Sequence, residues 1–251
     1  MTDRAPGHPE IERIVAPNPG PMTLEGTNTY VIERGGRAYV VDPAPADEAH
    51  LARVREAGDA AGGIAGVLLT HDHGDHADGA RPLGEPILWP PDDEQSVKGS
   101  DPLTVGPFGV VPTPGHSDDH VVFALGDVVY CGDLVLGEGS TFVPPDGGSL
   151  VAYLDSLARL RALGAALLCP GHGPWITDPR AKIDEYIEHK ADRERKLLAA
   201  LETGERSRGR LLDAAWDDVP PELRGAAGIV MQAHLEKLEA EGRLPADGLT
   251  D

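Results

Sequence analysis

Seven consecutive residues, Thr70-His71-Asp72-His73-Gly74-Asp75-His76, constrain this chain more than any other stretch of it. They follow the apolar run Ile64-Ala65-Gly66-Val67-Leu68-Leu69, whose aliphatic side chains predict a buried strand over Val67–Thr70. Gly74 then breaks whatever regular structure follows. On extended backbone, side chains two apart point the same way, so His71 and His73 can converge on one point. The turn that Gly74 permits lets Asp75 and His76 face a neighbouring point. Imidazole nitrogen and carboxylate oxygen suit zinc and its borderline neighbours, and one short loop cannot complete two coordination shells. A solvated loop with incidental histidines is the weaker alternative, because the candidate ligands alternate along it in a chain with only 10 histidines. Further ligands must come from elsewhere.

Three later segments repeat one local plan, an apolar run that ends in a turn and then a residue able to ligate. Val110-Val111-Pro112-Thr113-Pro114-Gly115 delivers His116, Val128-Val129-Tyr130-Cys131-Gly132 delivers Asp133, and Ala165-Ala166-Leu167-Leu168-Cys169-Pro170-Gly171 delivers His172. The glycines allow close backbone approach or an unusual φ, and the prolines stiffen the loops, so little entropy is left to lose when the ligands are placed.

Taken together, His71, His73, Asp75, His76, His116, Asp133 and His172 resemble the ligand pattern of the metallo-β-lactamase superfamily of binuclear metallohydrolases, over about residues 10–180. The resemblance implies an α/β (α+β) fold, a four-layer αββα sandwich with the site at one edge. It also implies His71, His73 and His116 on one metal, Asp75, His76 and His172 on the second, and Asp133 bridging them. The blocks Asn18-Pro19-Gly20-Pro21, Gly26-Thr27-Asn28-Thr29-Tyr30, Thr113-Pro114-Gly115-His116-Ser117-Asp118-Asp119-His120 and Pro170-Gly171-His172-Gly173-Pro174 are similar to the beta-lactamase-like protein 2 subgroup. That subgroup's namesake is an endoribonuclease on single-stranded RNA, and fungal thioesterases that release polyketides from acyl carriers are related to it.

Two divalent cations roughly 3.5–4 Å apart can share a water, lower its pKa to about 7 and present hydroxide to an electrophile. They also polarise a carbonyl or phosphoryl oxygen, so esters, thioesters, amides and phosphodiesters all suit such a site. Zinc is the expected metal, and iron or manganese can occupy the same donors. Asp75 is the candidate catalytic carboxylate, ligating one metal while accepting a hydrogen bond from the nucleophile, with pure ligation as its alternative role. Asp42, in Val40-Val41-Asp42-Pro43, and His120 are candidates for holding the imidazoles' other nitrogens. Ser117 and Asn28 could touch substrate, although turn residues of these types usually bond the local backbone. Cys131 and Cys169 read as small buried hydrophobes rather than nucleophiles or ligands.

At 251 residues and 40% apolar content, the chain can hold one α/β domain with a small addition. Strands are expected near Tyr30–Ile32, Ala38–Val41, Val67–Thr70, Ile87–Trp89, Leu103–Val105, Val110–Val111, Val121–Ala124, Val128–Tyr130 and Ala166–Cys169. Helices are expected at Ala46–Ala57 and Leu150–Leu163, where Leu150, Leu154, Leu157, Leu160 and Leu163 make a core-facing stripe. After Thr177-Asp178-Pro179 the texture becomes helical. This marks a catalytic domain over 1–178 and a C-terminal region over 179–251, which resembles the subgroup's winged-helix-like extension. No stretch of about 18 apolar residues predicts a membrane span, and no apolar signal segment follows Met1, so a cytoplasmic location is expected.

The net charge of −20 divides unevenly, with 10 basic against 25 acidic residues through Trp175 and 12 against 17 beyond it. Lys190, Arg193, Arg195, Lys196, Arg206, Arg208 and Arg210 form a local basic strip, but neither half is a phosphate magnet. With few aromatics, stacking platforms for bases are scarce. The expectation is therefore a binuclear metal-dependent hydrolase of a small ester or thioester. The alternative is a metal-dependent endoribonuclease on single-stranded RNA, for which a C-terminal nucleic-acid platform would serve; as a cleft-shaping cap, that region fits the first reading.

Overall fold

The computed structural model describes residues 2–90 and 103–251. Hydrogen-bond pairing sorts its strands into two sheets. The first sheet runs in chain order: β1 (Thr2–Ala5), β2 (His8–Val15), β3 (Asn28–Arg34), β4 (Arg37–Val41), β5 (Ile64–Leu68) and β6 (Ile87–Trp89). The second holds β7 (Thr104–Val105), β8 (Phe108–Pro112), β9 (Val121–Leu125), β10 (Val128–Gly132) and β11 (Leu167–Pro170), also neighbours in sequence order. Pairing is antiparallel except for β4–β5, β5–β6 and β10–β11. Parallel neighbours require a crossover, and helices supply it. α1 (Glu48–Ala60) links β4 to β5, the short α2 (Gly74–Ala77) and α3 (Ala80–Leu83) lie between β5 and β6, and α4 (Leu150–Ala162) links β10 to β11.

The period of two along β10 shows the layering. Val128 and Tyr130 turn inward to meet Ile32, Val41, Leu68 and Phe123 between the sheets. Val129 and Cys131 turn outward onto Leu150, Tyr153, Leu157 and Leu160 of α4. In the first sheet, Val41 and Leu68 face inward while Val40 and Val67 pack against Leu51 and Val54 of α1. The result is the expected four-layer αββα sandwich. It also separates Cys131 from Cys169, which lie in different cores on opposite faces of the second sheet and are both free thiols.

Several details differ from expectation. Residues 2–15 form the hairpin β1–β2, turning at Gly7 with φ 78°, where no strand was anticipated. This edge pair is polar and buries few side chains, Ile11 and Ile14 among them, so its hydrophobic signal is weak. β5 ends at Leu68, and Gly74 opens α2 rather than ending regular structure. On α4, Ser149 caps the first turn by accepting from Ala152 N–H (3.3 Å). The leucine stripe is buried at Leu150, Leu157 and Leu160, but Leu163 is the C-cap and stands 39% exposed.

Beyond the sandwich, α5 (Pro179–Glu202) begins at the N-cap Asp178 with proline in its first turn, the arrangement a helix start favours. It continues through α6 (Arg208–Ala215), a single 3-10 turn at Pro221–Leu223, and α7 (Arg224–Ala240). Ile183 and Tyr186 of α5 belong to the sandwich core. Leu197 and Leu201, farther along, join Leu211, Trp216, Met231, Leu235 and Leu238 in a core of their own. Among the described residues, no helix is long and apolar enough to cross a membrane.

Candidate metal centre

β8 and β10 both run antiparallel to β9, so they share a direction, and β11 runs parallel to β10. Their carboxyl ends therefore point to one edge, the place where ligands gather in sheets with helical crossovers. His116 follows β8, Asp133 follows β10 and His172 follows β11, while His71, His73, Asp75 and His76 follow β5 of the other sheet. All seven meet there.

They meet as two adjoining groups. His71 Nε2 and His116 Nε2 lie 3.0 and 3.1 Å from His73 Nδ1. His172 Nε2 is 3.3 Å and His76 Nε2 3.7 Å from Asp75 Oδ2. Asp133 spans the groups: Oδ1 lies 3.4 Å from both His76 Nε2 and His172 Nε2, and Oδ2 lies 3.8 Å from His116 Nε2. Donors arranged tetrahedrally at zinc–nitrogen distance stand about 3.3 Å apart, close to these separations. Among the described residues, the buried atoms His76 Nε2, His172 Nε2 and Asp133 Oδ1 have no hydrogen-bond partner, an arrangement costly for a protein unless a cation completes it. The donors present thus fit a pair of divalent cations.

The outer ring nitrogens show how the histidines are aimed. Asp42 accepts from the Thr70 N–H (2.8 Å) through Oδ1, and from the Thr70 hydroxyl (2.7 Å) and His76 Nδ1 (2.9 Å) through Oδ2. The Thr70 oxygen accepts in turn from His71 Nδ1 (3.0 Å). His116 Nδ1 donates to Phe142 O (2.7 Å), and His172 Nδ1 faces Gly26 O (3.4 Å). Each of these four histidines spends Nδ1 on the scaffold and turns Nε2 inward; His73 alone presents Nδ1. Asp42 reaches its position in the left-handed region at φ 52°, tolerable for aspartate. His120 does not hold a ligand: its Nδ1 pairs with the Thr113 hydroxyl (2.9 Å), its Nε2 has no partner among the described residues, and its ring packs 5.1 Å from that of His71. Thr70, Phe142 O and Gly26 O are contributors that sequence reasoning missed; two are backbone carbonyls, which carry no residue signature.

The electrostatics are lopsided. Burial opposes protonation of His76, but Asp133 and Asp42 outweigh it and hold that imidazole well above its usual pKa. His172, against the same burial, is raised to about 9 by Asp133 and Asp75. Asp133 is buried yet held well below the carboxylate range by His76 and His172, and Asp75 is lowered despite burial by His172 and His76. His71 and His116 are instead pushed down by desolvation, so their lone pairs are free at neutral pH. A cation entering beside His76 and His172 must displace protons, whereas one beside His71 and His116 need not.

One cavity of about 480 Å³ opens on this centre. His73, Asp75, His116 and Asp133 border it, Met22, Leu24, Leu136 and Phe142 form one apolar side, and Trp216, Val219, Leu223, Ala227 and Val230 of the C-terminal region form the other. Asn28 and Ser117 are not part of its lining. Asn28 is buried and donates to Pro170 O (2.9 Å) and Gly173 O (2.8 Å), tying down the His172 loop; the Ser117 hydroxyl donates to Asp119 (2.7 Å).

The model of the metallo-beta-lactamase superfamily matches residues 22–87 and 79–172, and that of the beta-lactamase associated winged helix domain matches residues 210–248. The Beta-lactamase-like protein 2 homolog of Drosophila melanogaster is 32% identical, covering 93% of this chain and 89% of its own. The Atrochrysone carboxyl ACP thioesterase of Aspergillus fumigatus is 33% identical, covering 95% and 76% respectively. A crystal structure of a Beta-lactamase domain protein from Burkholderia ambifaria superimposes with a TM-score of 0.76 at 21% identity, covering 98% of this chain and 92% of that one. With fold and family model in agreement, the chain belongs to the metallo-β-lactamase superfamily of hydrolases and carries its associated winged-helix domain.

Proposed function

We propose that the chain is a binuclear metal-dependent hydrolase of small ester or thioester substrates. The observation that carries this reading is the cavity itself: candidate ligands border a half-open, largely apolar space suited to an acyl group. The thioesterase relative, named for an acyl-carrier substrate, supports it. We assign His71, His73 and His116 to one cation, Asp75, His76 and His172 to the second, and Asp133 to both. Two of the three groups of closely spaced donors, His71–His73–His116 and Asp75–His76–His172, support this partition, and the third, His71–His76–Asp133, lies across it. Zinc suits this donor set, with iron or manganese as alternative occupants. Bound there, divalent cations supply water activation and polarise the scissile carbonyl.

The chain's own residues do the rest. Asp75 is the ligand carboxylate most open to the cavity, its side chain 32% exposed against 13% for Asp133. It is therefore the group placed to accept a hydrogen bond from the attacking water and orient it. Asp42 and Thr70 hold His76 and His71 in the tautomer that turns Nε2 inward. Met22, Leu24, Phe142 and the C-terminal wall offer apolar surface to the acyl group. We divide the chain functionally at 178/179, with residues 1–178 supplying the ligands and residues 179–251 one wall of the cavity.

The test is elemental analysis of the purified chain followed by a panel of acyl thioesters, aryl esters and single-stranded RNA. Two equivalents of metal and thioester or ester turnover that falls at least a hundredfold in His116→Ala are expected. Cleavage of RNA without acyl turnover would overturn the reading in favour of the nuclease.

A further inference from the structure

Lys190 of α5 is 3% exposed and borders the cavity. Its ammonium donates to Thr141 O (3.0 Å) and Ser140 Oγ (3.2 Å) and lies 5.6 Å from the centre of the Tyr153 ring. None of these groups carries charge, and Lys190 forms no ion pair among the described residues. Its neighbours are treated differently. Arg193, the next buried cation on the helix, is 2.7 Å from Asp218; Arg195 pairs with Glu188 and Asp192, and Lys196 with Asp192 and Asp217. A buried ammonium with neutral partners alone is costly, and a carbonyl and a hydroxyl occupy only two of its three donors. Burial, reinforced by Arg193, lowers its pKa to about 8, which leaves it mostly charged at neutral pH.

The position is also close to the chemistry. Thr141, which receives the Lys190 donor on its carbonyl, donates its hydroxyl to Asp133 O (2.9 Å). The cavity thus places an uncompensated cation one residue from the candidate bridging carboxylate, and Met22, Leu223 and Val230 are among the apolar side chains of the same lining.

We propose that Lys190 is the counter-charge for an anionic oxygen group on the substrate, so that the cavity selects acyl compounds bearing a carboxylate or a phosphate over neutral compounds of the same shape. This rests on the hydrolase reading above and adds its specificity determinant. The anion can lie on the acyl chain or on the thiol that leaves, and the two sources are separable.

The metal-loaded full-length chain is assayed with succinyl, glutaryl and adipyl thioesters of N-acetylcysteamine against the butyryl, pentanoyl and hexanoyl thioesters, and with acetyl-phosphopantetheine against acetyl-pantetheine. In at least one arm, kcat/KM favours the anionic member by about 10- to 100-fold. Lys190→Met, or Lys190→Gln should the first variant fail to fold, brings that ratio towards unity, and Lys190→Arg, which keeps the charge, retains the preference. A wild-type ratio of unity in both arms, or an unchanged ratio in the uncharged variant, overturns the proposal. If no thioester is turned over, the hydrolase reading fails, and calorimetric titration with glutarate and inorganic phosphate judges Lys190 separately. Binding of either anion about tenfold weaker in the uncharged variant supports its role; equal binding of both overturns it.

Discussion

At the scale of single residues, the centre depends on which nitrogen each imidazole turns inward. Asp42 accepts from His76 Nδ1 and, through Thr70, determines His71 as well. In Asp42→Asn the amide offers donors where the carboxylate accepted, which favours the His76 tautomer with its proton on Nε2, directed at the cation site. Metal affinity, measured by competition with a chelating dye, is expected to fall about 10- to 100-fold. Another buried imidazole, His234, has no partner on either nitrogen among the described residues and packs edge-on against Trp216. Burial, with Lys190 and Lys237 nearby, lowers its pKa to about 3. Because the folded value lies below the unfolded one near 6.5, the unfolded chain binds the proton first as pH drops. The stability present above pH 6.5 is therefore lost progressively towards pH 3, by up to about 1.4 kcal/mol per pH unit. His234→Phe should flatten that loss relative to wild type, as read from denaturant midpoints at pH 7 and pH 5; identical pH dependence would show that His234 is protonated in the folded chain.

At the scale of elements, four strand ends create one site because β8, β10 and β11 run the same way and β5 of the facing sheet ends beside them. The repeated plan of apolar run, turn and ligand is the sequence trace of that geometry. One tight point is Gly171, where a Cβ would lie 2.4 Å from Asp133 Oδ1 and 2.6 Å from His76 Cε1. The backbone of β11 can approach the carboxylate only without a side chain. Gly171→Ala is expected to displace Asp133 by a fraction of an ångström and to lower kcat/KM on the best acyl substrate by about a hundredfold. The chain should remain folded by circular dichroism while metal content falls. Full metal content with unchanged kinetics would mean that the carboxylate has room to yield. The β1–β2 hairpin shows the converse, an element almost silent in sequence because it lies at a sheet edge and takes its stability from pairing with β3 rather than from a continuous apolar face.

At the scale of the whole molecule, α5 joins the two parts by giving Ile183 and Tyr186 to the sandwich and Leu197 and Leu201 to the C-terminal core. That coupling brings Trp216, Leu223 and Val230 over a cavity whose floor belongs to the other end of the chain. The basic strip of this region is largely spent internally: Arg193 pairs with Asp218, Lys196 with Asp217 and Arg206 with Asp247. Cations at the centre should stabilise the entire fold, since they bind the native arrangement of residues 71–172 and not the dispersed chain. Chelation is expected to lower Tm by roughly 5–15 °C, with recovery on adding metal back. A Tm indifferent to chelator and to added zinc would mean that the donors do not act as a metal site.

The residue types and their order along the chain gave the candidate ligands and the strand-like runs that precede them, because ligand chemistry and strand propensity are local properties, and the four-layer class came with the family resemblance. They are written in His71-Asp72-His73 and in the apolar run Val128-Val129-Tyr130. The partner of each imidazole's outer nitrogen, the opposite faces taken by Cys131 and Cys169, and the uncompensated charge of Lys190 were decided only by tertiary structure. Each depends on which backbone carbonyl, sheet face or carboxylate arrives from a distant segment. In sequence, Lys190 is one cation in a strip with acidic neighbours; packing alone carries those carboxylates to its neighbours and leaves Lys190 facing the cavity.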